Sequence, residues 1–168
     1  FSQMRIVYFD NCNFLESFPN DAFKSISLTN LHLKNCKNLK QLTTNLCNMT
    51  SLVALYLENY PILEALPKRW KIFISLKELK INKCASLKII SHEITSLIFL
   101  KNLDIHRCEA LEEFSSGLRN LIALEELDFS KCRNLRNLQE GFGNLTYLKK
   151  LSMWRCDALD EFPSRLEN

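Results

Sequence analysis

Apolar residues in this chain recur at a fixed interval of 24 positions from one end to the other. Relative to the column Cys12, Cys36, Tyr60, Cys84, Cys108, Cys132 and Cys156, the residues eight places earlier are Met4, Leu28, Leu52, Leu76, Leu100, Leu124 and Leu148. Five places earlier stand Val7, Leu31, Leu55, Leu79, Leu103, Leu127 and Leu151, and three earlier Phe9, Leu33, Leu57, Ile81, Ile105, Phe129 and Met153. Three places later is a leucine in every unit, from Leu15 to Leu159; six later come Phe18, Leu42, Leu66, Ile90, Phe114, Leu138 and Phe162. All 35 positions are apolar, where a hydrophobic content of 46% would put roughly 16. Such a period predicts a solenoid of seven 24-residue coils, each unable to bury its apolar face alone and each stacked on its neighbours.

Within a coil, the apolar–polar–apolar alternation before the reference column has the period of two expected of a half-buried strand. After it, leucines at every third residue suit turns or short 3₁₀ segments better than an α-helix. The full unit, L-x-x-L-x-L-x-x-C-x-x-L-x-x-L, stands in Leu124 to Leu138. It resembles the leucine-rich repeat, over the whole chain. That resemblance implies an α/β solenoid: a right-handed horseshoe with a parallel β-sheet on its concave face and loops and short 3₁₀ segments on its convex face. Residues 1–168 would form a single domain, a fragment without caps whose terminal coils expose core and associate end to end or fray.

Composition narrows the chemistry. A net charge of +3, from 22 basic and 19 acidic residues, gives no ground for expecting nucleic acid as the principal partner. No stretch approaches a membrane span, and with only Gly117, Gly141 and Gly143 there is no glycine-rich loop to wrap phosphates, so no nucleotide cofactor is expected. Seven cysteines without a C-x-x-C, six of them aimed along one edge of the core, make no tetrahedral metal cage and suit buried structural thiols in a reducing, cytoplasmic setting. The resemblance implies that Cys12 and its equivalents bond the backbone of the adjacent coil. Tyr60 is too long for that slot and is expected to swing outward, distorting the third coil. The sequons at Asn48 and Asn144 share one phase of the repeat and follow from its consensus.

No catalytic set emerges. His92 is expected on the convex surface, since His92-Glu93-Ile94-Thr95-Ser96 lacks the second His of a zinc protease. Asp104 and Asp128 share an exposed column, but an open strand face offers no means of raising one carboxyl pKa, and Arg107 and Lys131 are at hand as counter-ions. The chain reads as a non-enzyme.

The outward positions of the sheet, six, four and two before the reference column, form the candidate binding face. One line runs Tyr8, His32, Tyr56, Lys80, Asp104, Asp128 and Ser152; the next runs Asp10, Lys34, Glu58, Asn82, His106, Ser130 and Trp154. The rim beyond runs Asn11, Asn35, Asn59, Lys83, Arg107, Lys131 and Arg155, its basic half offset by Glu109, Glu112, Glu113, Asp157, Asp160 and Glu161. Rigid rings among alternating charges are typical of protein-binding hot spots. The candidate ligand residues are therefore Tyr8, Asp10, His32, Lys34, Tyr56, Glu58, Lys80, Asp104, His106, Asp128, Trp154 and Arg155.

The phrase C-x-x-L-x-x-[LF]-P recurs at Cys12 to Pro19 and Cys156 to Pro163, with Leu66-Pro67 in the third coil and Gly143-Asn144-Leu145-Thr146-Tyr147-Leu148 in the last. Together these resemble the repeats of plant intracellular disease-resistance proteins, the nucleotide-binding immune receptors. Thr43, Ser91, Ser115 and Gln139 depart from the Pro, and Trp70-Lys71-Ile72-Phe73-Ile74 replaces the usual N-L-T-x-L. The resemblance implies a ligand-sensing and autoinhibitory module. Its partners would be a pathogen effector or host protein and a nucleotide-binding domain of the same parent chain. The alternatives are a substrate-recruiting arm of a ubiquitin ligase and a constitutive scaffold.

Overall fold

The computed structural model describes residues 3–17, 27–39, 46, 49–66, 70–90, 92–114, 118–138 and 141–160. Seven strands build one sheet: β1 (Ile6–Asp10), β2 (Asn30–Lys34), β3 (Ala54–Glu58), β4 (Glu78–Asn82), β6 (Asn102–Asp104), β8 (Glu126–Asp128) and β10 (Lys150–Ser152), neighbours in that order. Every pairing is parallel, and each residue faces the one 24 places on, as Val7 faces Leu31 and Leu103 faces Leu127. The repeat sets the register directly, because a slip of one residue would turn the buried leucines to solvent. Leu31, Leu55 and Leu79 are fully buried, and Leu103 and Leu127 nearly so.

The turns obey the threefold spacing. In all seven coils the leucine three places after the reference column donates its amide to the reference carbonyl, from Leu15 to Cys12 at 3.0 Å to Leu159 to Cys156 at 3.2 Å. Short 3₁₀ segments occupy Trp70–Ile72, His92–Ser96, Leu118–Asn120 and Phe142–Asn144. They reveal two further apolar columns: Leu46, Trp70, Ile94, Leu118 and Phe142, then Met49, Phe73, Leu97, Leu121 and Leu145, all buried. The divergent stretch after Arg69 thus keeps the repeat, with Trp70 and Phe73 filling both columns and packing ring to ring at 5.5 Å. At Gly141 (φ 139°) a Cβ would lie 2.6 Å from the Arg119 amide nitrogen, so the coils approach there as only glycine allows.

The structure adds a second parallel sheet of two-residue strands, β5 (Ile89–Ile90), β7 (Glu113–Phe114) and β9 (Asn137–Leu138), extended by a bridge from Ala65 to Ile89. The column six places after the reference therefore carries strand in coils four to six. Phe18, Leu42 and Phe162 of that column, the prolines Pro19, Pro67 and Pro163, Cys47 and Asn48 lie outside the described residues.

The reference column corrects one expectation. Tyr60 is fully buried rather than turned outward. Its coil is undistorted: Glu58 stays paired with Asn82, and the Leu63 amide reaches the Tyr60 carbonyl at 3.3 Å. A phenol contributes more apolar area to the core than a thiol, and that gain outweighs leaving its hydroxyl without a hydrogen-bond partner. The thiols meet the expectation in part: Cys108, Cys132 and Cys156 donate to the carbonyl 27 residues back at 3.0, 3.1 and 3.1 Å, Cys36 lies closer to the Lys34 carbonyl of its own turn (3.3 Å) than to that of Phe9 (3.7 Å), and Cys12 donates within its own turn to Asp10 at 3.5 Å. Cys84 donates within its own turn, to the Asn82 carbonyl at 3.7 Å. Burial pushes the Cys132 thiol up to about 12, leaving it protonated and unreactive at neutral pH.

The rim carries a feature absent from the hydrophobic pattern. Asn11, Asn35, Asn59, Lys83, Arg107, Lys131 and Arg155 are all left-handed, with φ between 54° and 64°. In the first four coils this reversal directly follows the last strand residue, and amides such as those of Arg107 and Lys131 still reach the next coil, at the Ser130 and Trp154 carbonyls (2.9 and 2.8 Å). Asn tolerates the conformation well, whereas a lysine or arginine there costs about 1 kcal/mol or more.

Candidate protein-binding face

The outward residues of the sheet line up as the strands do. Tyr8, His32, Tyr56, Lys80, Asp104, Asp128 and Ser152 are successive register partners, forming one continuous row. In the first three coils that row is an aromatic stack: Tyr8 and His32 have ring centroids 4.1 Å apart, and His32 and Tyr56 4.2 Å apart. Strand pairing sets these rings face to face, at separations somewhat shorter than the strand spacing of about 4.8 Å. Lys80 caps the stack, its Nζ 5.3 Å from the Tyr56 centroid. At the other end Tyr8 is 68% exposed, presenting a ring face to solvent.

The stack is fixed from the side. Tyr56 donates its hydroxyl to Glu78 Oε2 at 2.5 Å, and Lys80 pairs with Glu78 at 3.0 Å. Partial burial and this hydrogen bond to a carboxylate raise the Tyr56 pKa, so the phenol stays neutral. Burial between two rings lowers the pKa of His32; Glu78 opposes that shift and Lys80 reinforces it. Beside the stack runs the second row, Asp10, Lys34 and Glu58 in register. Glu58 accepts from Lys83 at 2.7 Å and pairs with Lys34 at 3.4 Å; the hydrogen bond from Lys83 leads in holding its carboxyl below the ordinary range. Asn35 donates to Asp10 at 3.1 Å and Asn59 to Asn35 at 2.6 Å, tying the rim to the same patch.

Coils five to seven differ. The second row leaves the strand there, because β6, β8 and β10 have three residues and His106, Ser130 and Trp154 fall in the turn. In coils five and six the cause is local: Asp104 accepts the His106 amide at 3.1 Å, and Asp128 accepts that of Ser130 at 2.7 Å. Each aspartate captures an amide two residues on, as an Asx turn does. Asp104 also meets His106 Nδ1 at 2.9 Å. Both carboxylates are thus spoken for by the turn that follows them. The expected pairing with Arg107 and Lys131 does not occur among the described residues, nor does ion pairing of the rim with Glu109 or Asp157. Those acids directly follow Cys108 and Cys156, and at exposed positions little holds charged side chains together. Ser130, an outward position by sequence, is buried.

Of the predicted ligand residues, Tyr8, Asp10, His32, Lys34, Tyr56 and Glu58 therefore form one patch, which Lys80 borders. Asp104 and Asp128 continue the first row as turn-capping groups, and His106, Trp154 and Arg155 stand in the turns beyond it. Trp154 is 56% exposed, with Lys131 Nζ 4.5 Å over its ring. The sheet face carries a small depression of about 170 Å³, between Lys80, Asp104, Asp128 and Lys150. Sequence reasoning missed a larger open groove of about 890 Å³ along the 3₁₀ segments, bordered by Ile72, Ile98 and Ile122. Its signal was present in the exposed column Ile74, Ile98 and Ile122, one residue after the buried Phe73, Leu97 and Leu121. His92 borders the same groove with its side chain 74% exposed, on the surface as expected. Among the described residues no group of three or more His, Cys, Asp or Glu could hold a metal, and no helix is long and apolar enough to cross a membrane.

Among solved structures, the leucine-rich repeat domain of the type III effector XopL matches 97% of this chain with a TM-score of 0.74 and 24% identity. The fold is a leucine-rich repeat solenoid. The chain spans 64% of the length of that domain, and the likeness establishes architecture alone. The plant peptide hormone receptor RGFR1 in complex with RGF2 aligns over 82% of this chain and 38% of its own, at 16% identity and a TM-score of 0.29. No family model and no curated protein matches the sequence.

Proposed function

We propose that this leucine-rich repeat unit is the ligand-recognition and autoinhibition module of a plant-type intracellular immune receptor, acting in the cytoplasm and binding protein partners through its sheet face. The observation that carries the binding role is the Tyr8–His32–Tyr56 stack with Asp10, Lys34 and Glu58 beside it. Rings already held in place lose little entropy when a partner covers them, and a frame of charges around them selects among partners. An open face whose described depression is as small as about 170 Å³ suits another protein's surface better than a small substrate.

The receptor assignment draws on the C-x-x-L-x-x-[LF]-P phrases and the Gly143 to Leu148 phrase. Under this reading the ligand is a pathogen effector or a host protein, and the second partner is a nucleotide-binding domain of the same parent chain. The coding sequence on either side of these residues tests it. A preceding P-loop and nucleotide-binding domain is the expected result. A preceding F-box would make the unit a ligase arm, and a transmembrane segment would make it a surface receptor; either overturns the assignment.

A further inference from the structure

The fold demands a left-handed residue at the rim of every coil, yet in coils five to seven that place is held by cations that form no ion pair among the described residues and repel one another. Lys83 is neutralised by Glu58, but among the described residues Arg107, Lys131 and Arg155 form no ion pair. They stand one coil apart, about 5 Å by strand spacing, and all three are left-handed. Asn11, Asn35 and Asn59 fill the same position in the first three coils, where the conformation suits them. Replacing asparagine by lysine or arginine therefore adds conformational strain and like-charge repulsion together. Partial desolvation and then the charges of Arg107, Arg155 and Arg133 depress the Lys131 pKa, with Glu109 opposing them, consistent with net repulsion along the strip. Strain of this kind is retained where a partner offsets it.

We infer that Arg107, Lys131 and Arg155 form a docking strip for an acidic, extended peptide segment of a protein partner. Trp154, exposed beneath Lys131, supplies an apolar contact at its end. A peptide fits better than a nucleic acid because the strip is narrow and bracketed by carboxylates. Asp104 and Asp128 lie on the sheet side; Glu109 and Asp157 follow Cys108 and Cys156 on the other. A continuous phosphate backbone would meet those acids, whereas alternate carboxylates of a peptide need meet only the cations. The strip extends the protein-binding reading to a second surface, distinct from the aromatic patch.

The test uses the 168-residue chain and three fluorescein-labelled probes: a (Glu-Ser)4 peptide, a (Lys-Ser)4 peptide and a single-stranded DNA tetramer. Fluorescence anisotropy should show the acidic peptide binding in low salt and weakening as salt rises, with no binding of the basic one. The triple variant Arg107→Asn, Lys131→Asn, Arg155→Asn should lose at least tenfold in affinity while unfolding at a higher temperature, since it restores the asparagines of the first coils. Tyr8→Ala with Tyr56→Ala should leave the affinity within twofold; a loss there would assign the probe to the aromatic patch. Undiminished peptide binding by the triple variant would overturn the strip, as would tighter binding of the DNA than of the peptide.

Discussion

Tyr60 brings a hydroxyl into the core at a column where the repeat otherwise places a thiol, and this sets the sign of a substitution. The side chain is fully buried and its hydroxyl has no hydrogen-bond partner. Burial, and the neighbouring Cys36 and Cys84 thiols, raise its pKa, so the group is a neutral phenol whose oxygen has left water for no more than the weak polarity of a thiol beside it. Burying a hydroxyl in that way costs about 1–3 kcal/mol on protein scales. Tyr60→Phe keeps the ring and removes the cost, so the variant should be more stable by about 1–2 kcal/mol, or roughly 2–4 °C in melting temperature per kcal/mol for a chain of this size. Tyr60→Cys restores the column's usual residue, yet it should destabilise by about 2–5 kcal/mol, because it leaves a ring-sized cavity. Urea unfolding followed by far-ultraviolet circular dichroism would measure both, with an unchanged slope showing that the unfolded state is unaltered. A midpoint for Tyr60→Phe below that of the parent chain would refute the reasoning and place a partner on the hydroxyl.

Two further substitutions or titrations follow from the geometry. Gly141→Ala would drive a Cβ to 2.6 Å from the Arg119 backbone at a positive φ, so it should cost about 1–3 kcal/mol in the same unfolding assay; an unchanged midpoint would mean the coils there can separate freely. His32 should titrate below free histidine, seen as a low midpoint for its imidazole resonance by NMR against pH. Because the unfolded chain then binds a proton before the folded one does, this residue's contribution to stability is present above about pH 6.5 and is lost as the pH falls from there through the folded-state value. A midpoint at or above that of free imidazole would contradict the stacked, desolvated ring.

The strands and their register were legible because a repeat of 24 residues fixes every pairing once one coil is aligned, and the alternation around Leu103 and Leu127 fixes which side is buried. The row Tyr8, His32, Tyr56 followed from the same alternation. What was not legible depends on space and rotamers rather than on pattern. The inward course of Tyr60 is decided by the room its neighbours leave. The left-handed rim had a partial signal in three asparagines, but lysine and arginine at the equivalent positions concealed it. Capture of the His106 and Ser130 amides by Asp104 and Asp128 shortened two strands that the period alone would have drawn at full length. The Trp70 stretch looked anomalous by residue type, although its threefold apolar spacing was intact.

The central claim is that the sheet face of the first three coils binds a protein. Affinity capture from plant cell extract, quantified by mass spectrometry, should compare the parent chain with a variant carrying Tyr8→Ala, Lys34→Ala, Tyr56→Ala and Glu58→Ala. A second variant, Ile98→Ser with Ile122→Ser in the groove on the turn side, serves as the contrast. Circular dichroism should first show all three chains folded alike. The account predicts a protein retained by the parent and by the groove variant but lost from the sheet-face variant. Retention by the sheet-face variant, with loss from the groove variant, would contradict it and move the binding function to the opposite side of the solenoid.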